Sequence, residues 1–199
     1  MGLDDDSLIA GQTPIDPDEK NGLKIRSISI LDELNEWEQW NIEKAVEWSM
    51  RKRFSRETIL QMDFVDKLHK RMFGEVWEWA GTHRKTNKNI GVDKFQISSR
   101  LSGLLSDCRF WIENGTYGGD EIAIRFKHRI VSIHCYPNGN GRHSRLMADI
   151  IVTNLFNLAS FSWGRFSSFS EDLSRKKYLE ALRDADRGDL SSLIRFARS

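Results

Sequence analysis

The chemistry of this chain is concentrated in twelve consecutive residues, His134-Cys135-Tyr136-Pro137-Asn138-Gly139-Asn140-Gly141-Arg142-His143-Ser144-Arg145. A histidine has an ordinary pKa of about 6.5, so near neutral pH His134 can take a proton from a hydroxyl. Asn138, Gly139, Asn140 and Gly141 are residue types that tolerate positive φ, which lets successive backbone N–H groups converge on one anion. A helix expected from about Arg142 adds its own unpaired N–H groups and the positive end of its dipole. Arg142 and Arg145 lie one helical turn apart and can both reach charged oxygens beyond the cradle. A base, a phosphate cradle and two guanidinium groups in this order suit attack of a hydroxyl on a phosphorus of a nucleoside triphosphate, with the arginines stabilising the leaving phosphates. Taken singly, a Gly-Asn-Gly is usually a turn and a histidine at a helix end usually a cap or core contact. A plain helix–loop–helix joint does not require all of them together.

Regular elements must bring these residues into place. Ile122, Ala123, Phe126, Ile130 and Ile133 follow helical spacing after Asp120, a natural N-cap, and lead directly into His134. Pro137 stops that helix and biases Tyr136 toward an extended conformation. Leu146, Met147, Ile150, Ile151 and Leu155 mark the helix that follows. Upstream, Leu34, Trp37, Asn41, Ile42, Ala45 and Trp48 form a stripe between Leu31 and about Met50. Leu60, Phe64, Leu68 and Met72 form a second, and Gly81 is the stop after Trp77-Glu78-Trp79-Ala80. Leu101, Leu104, Leu105, Cys108, Trp111 and Ile112 give another helix. Ser170 and Asp189 are the expected caps of two final ones, carrying Leu173, Leu179, Leu182 and then Leu190, Leu193, Ile194. Between residues 86 and 97, Ile90, Val92, Phe95 and Ile97 alternate with Asn, Gly and Lys, which predicts a small β-hairpin flap lying on the helices. The expected fold is an all-α bundle with that one β element.

Composition narrows the field. A chain of 199 residues with 39% apolar and 30% charged residues reads as one globular domain with a real core. Thirty Lys and Arg against twenty-nine Asp and Glu exclude a broad nucleic-acid or membrane footprint. Cys108 and Cys135 are too few and too far apart for a disulfide framework or a metal site, so they read as free thiols. No run is apolar enough for a membrane span or signal peptide, and the expected location is the cytoplasm. Residues 1–24 read as a polar, partly extended lead-in containing Pro14 and Pro17. His69, His83, His128 and His143 have no zinc spacing and read as core, cap or surface residues. The seven tryptophans are expected largely in the core.

The twelve-residue run resembles the signature of the Fic (Fido) family, His-x-Phe-x-(Asp/Glu)-Gly-Asn-Gly-Arg-x-x-Arg, with Tyr136 in the Phe position. Leu68-His69-Lys70-Arg71-Met72-Phe73-Gly74-Glu75-Val76-Trp77-Glu78-Trp79-Ala80-Gly81 resembles the family's helix and Trp-Ala-Gly turn ahead of the flap. Asn89-Ile90-Gly91-Val92 and Ala181-Leu182-Arg183-Asp184-Ala185-Asp186 are similar to one branch, the mobile mystery protein B group.

The resemblance implies a Fic-fold bundle whose activity is transfer of AMP from ATP to a Ser, Thr or Tyr hydroxyl of a target protein. It implies His134 as general base, Gly139, Asn140 and Gly141 around the α- and β-phosphates, Arg142 on the β-phosphate and Arg145 on the γ-phosphate. Tyr178 would flank the base pocket, and Asn89, Ile90, Gly91 and Val92 would dock an extended piece of the target by strand-like pairing. ATP is the implied cosubstrate, with Mg²⁺, and a small regulatory protein is an implied partner. On this reading residues 55–199 are the catalytic domain and residues 25–54 an N-terminal helix carrying an inhibitory motif. In Leu34-Asn35-Glu36-Trp37-Glu38-Gln39, Glu38 falls on the glutamate of the family's (Ser/Thr)-x-x-x-Glu-(Gly/Asn) pattern, although Leu34 and Gln39 depart from it. Glu38 is then expected to pair with Arg145; the alternative places Glu36 and Glu38 on a solvated helix face. Asn138 stands where most active members carry an acidic Mg²⁺ ligand, and an amide oxygen lacks the charge a hard cation favours. Two alternatives to AMP transfer follow. One is transfer of UMP or phosphate; the other is a non-catalytic nucleotide-binding or interaction module.

Overall fold

The computed structural model describes residues 20–165 and 171–199. Most of the polar lead-in, and the expected cap Ser170, lie outside the described residues.

Helix α1 (Leu31–Met50) buries Leu34, Glu38, Asn41, Ala45 and Ser49. This face is rotated from the stripe that hydrophobicity predicts: Trp37 and Trp40 stay 42% and 45% exposed and meet edge to face at 5.6 Å. The reason lies in the partner. Helix α1 packs on α3 (Met62–Phe73) and the turn after it, where backbone groups left over at a helix end need polar partners. Asn41 supplies both kinds: its amide N–H donates to the Arg71 carbonyl at 2.8 Å and its oxygen accepts from the Glu75 N–H at 2.9 Å. A short helix α2 (Arg56–Ile59), capped by Ser55, joins α1 to α3.

After α3 the chain turns through Gly81, at φ +79°, and enters the flap. The expected β-hairpin is not formed. Among the described residues the one β pairing is an isolated bridge between Leu23 and Trp77. The flap instead satisfies its backbone locally: the Asn87 side chain donates to Asp93 and accepts from the Lys94 N–H, and Asp93 caps a 3₁₀ turn over Lys94–Gln96. Such side-chain bonds from Asn and Asp compete with a strand ladder. They leave Ile90 and Phe95 49% and 86% exposed.

Helices α4 (Ile97–Glu113), α5 (Gly119–Ile133) and α6 (Asn140–Leu155) follow, then α7 (Glu171–Asp186) and α8 (Ser191–Arg198). Asp120 is not the cap of α5: it lies inside the first turn and holds Arg198 through both carboxylate oxygens. Asp189 does cap α8, accepting from the Ser191 N–H at 2.9 Å. The most extensive helix packing is α5 against α6, which bury Ile122, Phe126 and Ile130 against Met147, Ile150 and Ile151 in one continuous core. Both cysteines are buried and free. Among the described residues no helix is long and apolar enough to cross a membrane. The all-α bundle is as expected, and its central helix pair presents residues 134–139 as the joint between α5 and α6.

Candidate active site

Helix α5 ends at His134, which adopts the left-handed conformation at φ +56°, ψ +62° while its N–H still closes on Ile130. That conformation is unfavourable for a residue with a Cβ, so neighbours must hold it. The His134 carbonyl accepts from Arg84 Nε at 2.6 Å, and the Arg84 N–H donates to the Cys135 carbonyl. The flap lies directly against the ring's base: a Cβ on Gly91 would stand 2.6 Å from His134 Cβ. His134 is 3% exposed. Burial first, then the charges of Arg84 and Lys88, push its pKa down to about 4. At neutral pH the imidazole is therefore uncharged and in its proton-accepting form.

The loop beyond it is held from below. Asn140 grips Tyr136 through both its N–H and its carbonyl, at 2.9 and 2.8 Å. The Tyr136 hydroxyl donates to Asp66 at 2.7 Å, and its ring stacks on His69 at 3.7 Å. The Gly81 N–H donates to His69 Nδ1, so the proton sits on Nε2, which donates to the Asn138 carbonyl at 3.1 Å. Burial, then the neighbouring His143, hold the His69 pKa well below the usual histidine range. Gly139 is required: at φ +77° a Cβ there would lie 2.5 Å from the Phe73 ring. Gly141 differs, with nothing within 4 Å of where its Cβ would be. The first turn of α6, from Asn140, thus offers backbone donors on an open face.

The two arginines are held separately. Arg142 NH1 donates to Glu38 Oε2 at 2.6 Å, while Glu38 Oε1 accepts from Trp77 Nε1, also at 2.6 Å. The Glu38 side chain is 5% exposed and that of Arg142 is 38% exposed. The expected Glu38–Arg145 pair is therefore replaced by Glu38–Arg142. Three residues along a helix rotate a side chain by about 60° from its starting direction, and this turns Arg145 away from α1 toward the C-terminal helices. There its guanidinium lies over the rings of Tyr178, at 4.5 Å, and Trp163, at 5.7 Å. No acidic side chain among the described residues pairs with it. Tyr178 is in turn bonded to the fully buried Lys127, whose ammonium donates to the phenol oxygen at 2.6 Å. Burial holds the Lys127 pKa below the usual lysine value.

The residues present do not form a metal site of their own. Asn138 turns its side-chain oxygen back onto the Gly139 N–H at 2.5 Å. Among the described residues no group of three or more His, Cys, Asp or Glu could hold an ion. An Mg²⁺ ion would have to arrive with the phosphates of a nucleotide.

His134, the cradle and the two arginines come together at one joint, Gly91 covers the base, and Glu38 and Tyr178 each hold one arginine. Sequence reasoning missed Arg84, Asp66, Trp77, Lys127 and Asp149. Asp149 accepts from the Phe161 and Trp163 N–H groups, and burial raises its pKa to about 6. Lys127 left a signal, as a lone charge on the apolar stripe of α5. Arg84 and Asp66 left none.

Comparisons with known proteins agree with this geometry. Residues 59–152 match the model of the Fic/DOC family. Fic-1 from C. elegans (residues 134–508 of that protein) is similar in structure, with TM-score 0.64 and 20% identity, covering 98% of this chain and 55% of that one. This chain thus spans about half the length of the Fic-1 structure. The BepC protein of Bartonella tribocorum, solved with bound AMPPNP, gives TM-score 0.66 at 17% identity, covering 90% of this chain and 95% of that one. The N-terminal Fic domain of a VirB-translocated Bep effector protein from Bartonella quintana, with bound ADP, gives 0.66 at 14%, covering 90% and 94%. No curated protein sequence matches the chain significantly. Residues 59–152 carry the match to the Fic/DOC family model, and the helical bundle built around them has the Fic fold.

Proposed function

We propose that this protein is a protein adenylyltransferase of the mobile mystery protein B type, acting in the cytoplasm. His134 takes the proton of a Ser, Thr or Tyr hydroxyl on a target protein as that oxygen attacks the α-phosphorus of ATP. The new bond is between the hydroxyl oxygen and the α-phosphorus, the α–β bridging bond breaks, and pyrophosphate leaves. The backbone donors at Gly139, Asn140 and Gly141 hold the α- and β-phosphates. Because the Asn140 side chain is committed to Tyr136, its contribution comes from its N–H. Arg142 meets the β-phosphate, Arg145 the γ-phosphate, and Tyr178 orients Arg145. Residues 89–92 receive the target segment.

The observation that carries this reading is the neutral, buried His134 at the end of one helix, with the glycine cradle and two arginines opening the next. Glu38 is the brake: a triphosphate can use Arg142 only by displacing this carboxylate. Asn138 favours a second reading, a nucleotide-binding module without transfer or with another transferred group, because its amide oxygen is spent on Gly139. Incubation of Glu38→Gln protein and cell extract with labelled ATP separates the readings. α-Label on protein, absent with His134→Ala, is the expected result. γ-Label on protein means phosphate transfer, and ATP binding without transfer of either label under any divalent metal removes the enzymatic reading.

A further inference from the structure

We infer that Arg84 is a positioning residue: its guanidinium, set among the carbonyls of His134, Thr86 and Val92, locks the flap and the base to one another. The inference rests on His134 being the base. Arg84 is 3% exposed. Its Nε donates to the His134 carbonyl at 2.6 Å, one terminal nitrogen to the Thr86 carbonyl at 2.8 Å, and the other to the Val92 carbonyl. Thr86 and Val92 lie at the two ends of the turn that carries Gly91, so one side chain ties both ends of the flap to the residue fifty positions further along.

The chemistry of the group matters. A guanidinium is a rigid plane with donors in fixed directions, so it sets the relative positions of three carbonyls in a way that a lysine, with one flexible ammonium, cannot. Taking such a charge out of water costs several kcal/mol unless its donors are well satisfied. A surface loop needing only closure has no use for it. The flap turn packs on both members of the lock: a Cβ on Gly91 would fall 2.6 Å from His134 Cβ and 2.9 Å from an Arg84 nitrogen. The Val92 N–H closes the same junction on the Ile133 carbonyl. A target segment that presses on the flap therefore acts on the backbone of the base itself.

The arrangement has an electrostatic signature as well. Arg84 and Lys88 are the charged groups that face His134 and disfavour its imidazolium, after burial. Asp93, across the flap, interacts with Arg84 in turn. Removing the Arg84 charge raises the His134 pKa while leaving it below the ordinary histidine value, because burial remains.

The test uses the whole chain with ring-labelled histidine, followed by NMR across pH, together with hydrogen exchange at the Val92 amide. In Arg84→Gln the His134 midpoint is expected to rise above about 4 and Val92 exchange to quicken by roughly tenfold or more, as the loss of about one charged hydrogen bond implies. In Arg84→Lys the midpoint stays low, because the charge remains, but Val92 protection is still lost. In the Glu38→Gln background, Arg84→Gln lowers the transfer rate by roughly 10–100-fold with ATP affinity within about twofold, since the cradle is untouched. An unchanged His134 midpoint and unchanged Val92 exchange in folded Arg84→Gln overturn the inference. If that variant does not fold, unchanged Val92 exchange in Arg84→Lys overturns it alone. The NMR arms need no substrate, so they stand apart from any failure of the transfer reading.

Discussion

Arg142 and Arg145 stand one turn apart on the same helix and are held by opposite sides of the molecule. Arg142 faces the N-terminal side, where Glu38 on α1 neutralises it and Trp77 satisfies the other oxygen of that carboxylate. Arg145 faces the C-terminal side, where it lies over Tyr178 and Trp163 and keeps its charge. An ion pair must be broken before a phosphate can use the first arginine. An aromatic platform orients the second without competing for it, because stacking leaves the guanidinium edge free. One arginine is thus under a lock and the other is preorganised.

The largest expected effect falls on the preorganised side. Arg145→Ala should reduce nucleotide transfer by roughly 10²–10³-fold, as loss of a charge-stabilising donor does elsewhere, with the melting temperature nearly unchanged because no ion pair is lost. Transfer of α-label by purified variants measures this. An equal loss with Arg142→Ala, measured without Glu38→Gln, would erase the distinction.

Acid and alkali should strain the two sides in opposite directions. Near Arg142, His143 is buried with its pKa pushed to about 4 and bonds the Val65 carbonyl. A histidine depressed in the folded state contributes stability that is complete above its unfolded value of about 6.5 and is lost as pH falls toward about 4. A shift of that size is worth on the order of 3 kcal/mol, and His134 adds a similar loss over the same window. Beyond Arg145, Asp149 is raised to about 6, so its contribution is lost as pH rises from about 4 to 6 and offsets one of the two histidines. The net expectation is a fall in urea stability of roughly 3 kcal/mol from pH 7 to pH 4, of which His143→Gln removes a large part.

Arg142→Ala should cost about 1–3 kcal/mol of stability, because it leaves the Glu38 carboxylate buried with only Trp77. Adding Glu38→Gln should restore part of it, and additive losses in urea melts would show that the pair is not coupled. The smallest effect is expected from Tyr178→Phe, about 1–2 kcal/mol, because the buried Lys127 loses its hydroxyl acceptor. Lys127→Met should recover that loss, since it removes the charge together with its need for a partner.

The helices were legible from the sequence because each rests on local periodicity: α1 from Leu31 to Met50 and the α5–α6 pair stand where apolar spacing puts them. The chemical run was legible because its members are neighbours. What was not legible depends on partners distant in the chain. Glu38 is buried because Trp77 and Arg142 need it, which rotates α1 and exposes Trp37. The flap alternates like a strand, yet Asn87 and Asp93 bond their own backbone and Gly91 folds onto His134. Arg84 reads as an ordinary loop cation, and only the folded chain reveals three carbonyls converging on it.

The lock on Arg142 is tested most directly by ATP dissociation constants measured by calorimetry for wild type, Glu38→Gln, and Glu38→Gln combined with Arg142→Ala or with Arg145→Ala. Glu38→Gln keeps an acceptor for Trp77 and removes the charge, so ATP should bind roughly 10–100-fold more tightly, the equivalent of one charged hydrogen bond. That gain should vanish when Arg142 is alanine and persist when Arg145 is alanine. A gain that survives the loss of Arg142 would contradict the account.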